Sequence, residues 1–128
     1  MSSKSKIPFR NQNQTGWWIY SEILHWVSDR QKKLKPSSRC LVWENLRLVH
    51  ARNRDQAYRK AVKWSSLEHS TTNGGEWRFA GISMLLPVYD EIGDGAEILW
   101  QNERKLSVKQ IKKLVKSKRQ LPVFNDRD

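Results

Sequence analysis

The stretch Trp17-Trp18-Ile19-Tyr20-Ser21-Glu22-Ile23-Leu24-His25-Trp26-Val27 decides the fold. At the two-residue period of a strand, Trp18, Tyr20, Glu22, Leu24 and Trp26 fall on one face, and Trp17, Ile19, Ser21, Ile23, His25 and Val27 on the other. Large residues line both faces, so this strand belongs in the middle of a sheet. Residues 28–38 follow as a basic connector containing Pro36, and residues 39–51 (RCLVWENLRLVHA) form a second strand, for which antiparallel pairing with the first is the simplest topology.

Asn53 is an N-cap, with Asp55 in the first turn and Gln56 placed to return a bond to the cap, which predicts a helix over residues 54–67. Ala57, Ala61 and Trp64 share one side of it, and the two alanines let its backbone approach the sheet; Arg59, Lys60 and Lys63 are then solvated. Asn73-Gly74-Gly75 marks a turn into a third strand over 76–86, with Gly81 as a bulge. After Pro87 and the acidic loop at 90–95, residues 96–101 (AEILWQ) predict a fourth strand.

Ser107 with Gln110 is a capping box and Leu106 with Ile111 a hydrophobic staple, opening a helix over about 107–117. Val108, Ile111, Leu114 and Val115 share one side of it and Lys109, Lys112, Lys113 and Lys116 gather on another, while Pro122 bars continuation. The expected fold is therefore α+β: an antiparallel sheet of about four strands in β-β-α-β-β-α order, with one helix packed on it and a basic C-terminal helix. Residues 1–16 read as a flexible polar arm, 17–119 as a single domain and 120–128 as a tail, and there is no internal repeat.

Composition agrees with one soluble domain. At 128 residues, with 38% hydrophobic and 29% charged, the chain has room for one core and is not disordered in bulk. Seven tryptophans are many for this length; most should be buried, leaving one or two for a partner. Cys40 stands alone, which excludes an intramolecular disulfide, and residues 1–15 lack the apolar stretch of a secretory signal, so a reducing cytoplasm is expected. The longest apolar run, 82–89, is cut by Pro87 and falls short of the roughly 20 residues a membrane span needs.

With the elements placed, the pieces Trp18, Ile19, Tyr20 and Glu22, then Ala51, Ala57 and Ala61, then Trp77, Phe79 and Gly81, Tyr89 and Asp90, and Asp94-Gly95-Ala96-Glu97-Ile98 resemble an uncharacterised bacterial family known as domain of unknown function 4288. The resemblance covers about two-thirds of the chain in short, separated pieces. It implies a compact bacterial domain and brings no activity, ligand or partner. The N-terminal arm and the lysine-rich closing helix lie outside it.

Charge is the strongest functional signal. Eight of the 24 positive charges fall between Arg104 and Arg119 with no acidic residue among them, so that segment supplies +8 of the net +11. Lysines on one arc of a helix span adjacent phosphates, and such contacts position a polyanion without reading sequence. Lys109, Lys112, Lys113, Lys116, Lys118 and Arg119 are the candidate polyanion site; the same pattern also fits a solvated face over an apolar side packed on the sheet. Arg30, Lys32, Lys33, Lys35 and Arg39 in the connector form a second basic patch, flanked by Trp26 and Trp43, which suit either core packing or stacking on unpaired bases.

Other chemistries are thinly supported. Glu22 and Glu44 sit within apolar strands, and Glu22 with Glu97 forms the one candidate acidic site, for a carboxylate-dependent hydrolase; an edge or solvent-facing position, or a salt bridge to one of the many arginines, is the stronger reading of such residues. His25, His50 and His69 lack ligand spacing and one cysteine makes no structural zinc site, so neither metal nor cofactor is expected. Asp90, Glu91, Asp94 and Glu97 do not match a calcium loop, though an acidic loop could meet the basic patch of a second copy in weak self-association. These residues point to a non-catalytic binding module whose partner is nucleic acid or another polyanion, such as an acidic protein. The competing reading is a protein-docking domain that uses a tryptophan-lined sheet surface.

Overall fold

The computed structural model describes residues 7–31, 33–67, 70–99 and 104–127. The chain is α+β: an antiparallel sheet of β1 (Trp17–Ser28), β2 (Val42–His50), β3 (Ser70–Thr72) and β4 (Gly75–Pro87), with helix α1 (Arg54–Leu67) against it and a short helix α2 (Val108–Leu114) near the C-terminus. The spatial order β2-β1-β4-β3 puts β1 inside, as its two apolar faces require. Trp18 through Glu22 are all buried, so both sides of this strand are covered at that end.

Pairing of β1 with β2 is unbroken from Trp17 opposite His50 to His25 opposite Val42. Pairing with β4 slips twice, between Ser21 and Glu22 and between Ile23 and Leu24. The second slip leaves Ala80 without a partner, one residue from the bulge the sequence predicts at Gly81, which itself pairs with Ile23, and the first leaves Ser83 without a partner in the ladder.

The strand expected at 96–101 is not formed over 96–99. The Ala96 N–H is bound to the Gly93 carbonyl at 3.1 Å and the Glu97 N–H to the Asp90 carboxylate at 3.0 Å, so these donors are spent on a closed loop instead of a ladder; Trp100 and Gln101 lie outside the described residues. The sheet edge is taken instead by the three residues of β3, joined to β4 through Asn73 and Gly74, the latter at φ +100°.

Asn53 caps helix α1 as the sequence predicts, its Oδ1 accepting from the Gln56 N–H at 2.8 Å, but Gln56 Oε1 accepts at 2.8 Å from the N–H of Arg52, the residue before the cap, and not from the cap itself. Its buried residues are Ala57, Ala61 and Ser65, while Trp64, expected on that side, is 57% exposed. Three small residues let the helix close on Trp18, Tyr20 and Val49, and the bulky indole is displaced to the flank. The Trp18 indole N–H donates to the Ala51 carbonyl at 3.2 Å, fixing the chain as it leaves β2.

The described part of the expected flexible arm is fastened to the sheet. Phe9 stacks on Tyr89 with centroids 5.8 Å apart, the Tyr89 hydroxyl donates to the Arg10 carbonyl, and Thr15 Oγ1 donates to the Val88 carbonyl at 2.7 Å. Gly16 closes this stretch at φ +82°, and a Cβ there would lie 2.5 Å from His50 Nε2. We expect Gly16→Ala to lower the unfolding free energy by about 1–3 kcal/mol, from left-handed strain plus the clash. Gly93→Ala, which meets nothing within 4 Å, should fall within about 0.5 kcal/mol of the parent chain. Urea unfolding of both variants checks the contrast, and equal effects would refute it. Among the described residues no helix is long and apolar enough to cross a membrane.

Candidate nucleic-acid interface

The basic C-terminal segment is laid open to solvent. The expected capping box is formed: Ser107 Oγ accepts from the Gln110 N–H at 3.2 Å, and Gln110 Oε1 accepts from the Ser107 N–H at 2.9 Å. The helix then runs only to Leu114, because Val115 turns extended. Ser117 and Gln120 repeat half of the cap at the same spacing, Gln120 Oε1 accepting from the Ser117 N–H at 2.8 Å, and start a single turn, Lys118–Gln120, a signal present in the sequence and missed there. Lys109, Lys112 and Lys113 therefore share a helix, whereas Lys116, Lys118 and Arg119 follow it.

The expected packing of the apolar side does not occur. Among the described residues α2 touches no other element and buries none of its own residues, and Val108, Ile111, Leu114 and Val115 are all exposed. A seven-residue helix presents two turns of apolar surface, too little to outweigh the entropy lost in fixing it on the sheet. The cations are free of counter-charges: none of Lys109, Lys112, Lys113, Lys116 and Arg119 pairs with a described carboxylate, and Lys118 rests over the Phe124 ring at 5.0 Å.

The second basic patch borders an aromatic surface. Helix α1 covers the part of the sheet that holds Trp18, Tyr20 and Glu22, and the same face continues beyond it through Leu24, Trp26, Trp43, Trp77 and Phe79, as the pairs Leu24 with Trp43 and Trp26 with Trp77 require. Trp43 stacks on Trp77 with centroids 4.5 Å apart and planes at 26°, and Trp26 meets Trp77 edge-on at 5.4 Å. Trp43 remains 54% exposed. The connector leaves and re-enters the sheet at this end, held by Trp26 N–H to Leu41 carbonyl at 2.9 Å and Asp29 N–H to Gly74 carbonyl at 2.8 Å. Its Arg30, Lys33, Lys35 and Arg39 are exposed and unpaired with any described carboxylate; Lys32 lies outside the described residues.

A groove of about 460 Å³ beside the second exposed indole, Trp64, is lined by Tyr20, Arg47, His50 and Lys60. Its cations are engaged within the protein: Lys60 donates to the His50 carbonyl at 2.7 Å and the Arg47 guanidinium binds Glu22.

The acidic candidates are not brought together. Glu22 is fully buried, its Oε1 bound by Arg47 Nε and its Oε2 accepting from Ser65 Oγ at 3.1 Å; Ser65 Oγ also lies 3.2 Å from the Tyr20 hydroxyl. A serine hydroxyl carries one proton, so the chain that satisfies all three groups runs from Tyr20 through Ser65 to the carboxylate. Glu22 has no exposed surface, and Glu97 lies in the exposed loop after β4. Glu22 is thus a structural ion-pair partner whose donor, Arg47, is placed by the register two pairs along the ladder, opposite Tyr20. Among the described residues no group of three metal-ligating side chains forms.

Glu44, on the opposite face, has a different role. The hydroxyl of Ser83, pushed out by the bulge, donates to its Oε1 at 2.6 Å, and Ser21 donates to the same oxygen at 2.7 Å. These two bonds, Ser83 first, favour the ionised form and hold the Glu44 carboxyl below its ordinary value of 4.5. A depressed carboxylate stabilises the fold fully above 4.5, and that contribution disappears as pH falls through the lower folded value. Thermal unfolding of Glu44→Gln should accordingly show a flatter acid limb than the parent chain; superimposable limbs would refute the assignment.

No family model, curated protein or solved structure matches the chain.

Proposed function

We propose that this protein is a non-catalytic bacterial binding module, acting in the cytoplasm, that meets a polyanion, nucleic acid foremost, through its lysine-rich C-terminal segment. The single observation that supports the reading is the exposure of Lys109, Lys112, Lys113, Lys116, Lys118 and Arg119 with no described carboxylate to neutralise them. Lysines outnumber arginines here, which favours point-charge attraction to phosphate over bidentate recognition of base edges, and hence weak sequence preference. The test is a salt titration of binding to unrelated DNA and RNA fragments, with the full chain and with Lys109, Lys112, Lys113 and Lys116 reversed to glutamate. Retention that is negligible, or equal for the two chains, removes the reading. The alternative, a protein-docking module, draws on the exposed Trp43 surface.

A further inference from the structure

We infer that the Trp43–Trp77 stack is a platform for unpaired bases, making single-stranded nucleic acid the preferred ligand. This rests on the polyanion reading above and adds to it a second contact surface on the folded domain. A base needs a flat aromatic face open to solvent and, a few ångströms off, cations for the phosphate on either side of it. Trp43 supplies the face. It lies on β2, at the outer edge of the sheet, backed by Trp77 at 4.5 Å and 26°, with Trp26 behind at 5.4 Å, so its ring is braced while 54% of the residue stays open.

The cations come from the connector, whose two ends are hydrogen-bonded to the strands beside this stack. Between residues 29 and 41 it carries five basic residues against the single acidic Asp29. Protein-docking surfaces are depleted of lysine relative to the rest of a protein's surface, whereas the connector beside this stack exposes Lys33 and Lys35. Trp64, as exposed as Trp43, does not qualify, because the cations of its groove are already bound to Glu22 and to the His50 carbonyl. Duplex DNA offers no free base face, and inorganic polyphosphate offers no base at all, so the two isolate the stacking contribution.

The experiment titrates the full chain with a short oligothymidylate, the matching oligouridylate, an unrelated duplex and inorganic polyphosphate, following tryptophan emission and the anisotropy of the labelled ligand. Both single strands should quench emission, and Trp43→Ala should weaken their binding by roughly 5- to 150-fold, the loss of one stacked base. Duplex and polyphosphate binding should stay within about twofold, and Trp43→Phe should restore most of the single-strand affinity. Thermal unfolding is recorded for each variant, and the direct quenching of the parent chain serves where Trp43→Ala does not fold. Equal weakening on all four ligands, or single-strand binding without quenching and indifferent to Trp43→Phe and Trp43→Ala, overturns the platform and leaves the polyanion reading standing. Binding to none of the four overturns both, and capture of a protein partner that is sensitive to Trp43 while single strands do not bind assigns the surface to docking.

Discussion

Arg47→Leu should lower the unfolding free energy by about 3 kcal/mol. The replacement leaves the Glu22 carboxylate, 0% exposed, with only the Ser65 hydroxyl as partner. Breaking a buried ion pair from one side typically costs about 3–5 kcal/mol. The lower end applies because the Arg47 side chain is 36% exposed and water can enter in its place. A combined Arg47→Leu, Glu22→Leu and Tyr20→Phe variant removes the ion pair and the phenol together and leaves the Ser65 hydroxyl to donate to a carbonyl one turn back in its own helix, so it should be more stable than the single variant. Denaturant unfolding of both checks this. A single variant within about 1 kcal/mol of the parent, or a triple variant less stable than the single one, shows that the pair does not fix α1 to the sheet.

The second large effect concerns binding. Each phosphate neutralised by a lysine steepens the logarithmic salt dependence by about 0.9, so a contact with about four phosphates should weaken roughly a hundredfold when salt rises from about 50 to 200 mM. Reversing Lys109, Lys112, Lys113 and Lys116 to glutamate changes the segment from +8 to zero, since each of the four replacements removes two units of charge. Retention of duplex DNA should then vanish at every salt concentration. Single Lys→Ala changes should each lower the slope by about one and weaken all sequences alike. Because α2 packs on no other element, these substitutions should leave thermal unfolding unchanged. A coincident fall in stability would assign the lysines to the fold instead of to a ligand.

The central strand, α1 and β4 were legible in the sequence because each carries its own local signal: bulk on two faces, a cap at Asn53, a turn before Gly75. The failures share a cause. Periodicity in α2 and in residues 96–99 shows where an apolar stripe lies, yet not whether anything is there to receive it. Glu22 looked like a candidate for chemistry because alternation cannot show which side chain stands across the ladder; the register supplies Arg47 from two residues along β2, and α1 supplies Ser65. Trp64 was placed inward because helical spacing ranks positions by angle, whereas the buried seam was settled by size, with serine and alanine fitting over Tyr20 where an indole does not. The charge of the C-terminal segment, by contrast, was readable, since charge without acidic neighbours along the chain needs no tertiary contact to persist, although its helix stops at Leu114 and its apolar side stays unpacked.

The bare state of α2 carries a thermodynamic consequence. Isolated helices shorter than about 12–15 residues are marginal in water, and this one has seven residues and a fixed start but no packed flank. A row of phosphates alongside Lys109, Lys112 and Lys113 relieves their mutual repulsion, so engagement should raise helicity, visible as a deepening far-ultraviolet circular dichroism band during titration. Part of the attraction is then consumed in coiling the segment, which softens net affinity and speeds release.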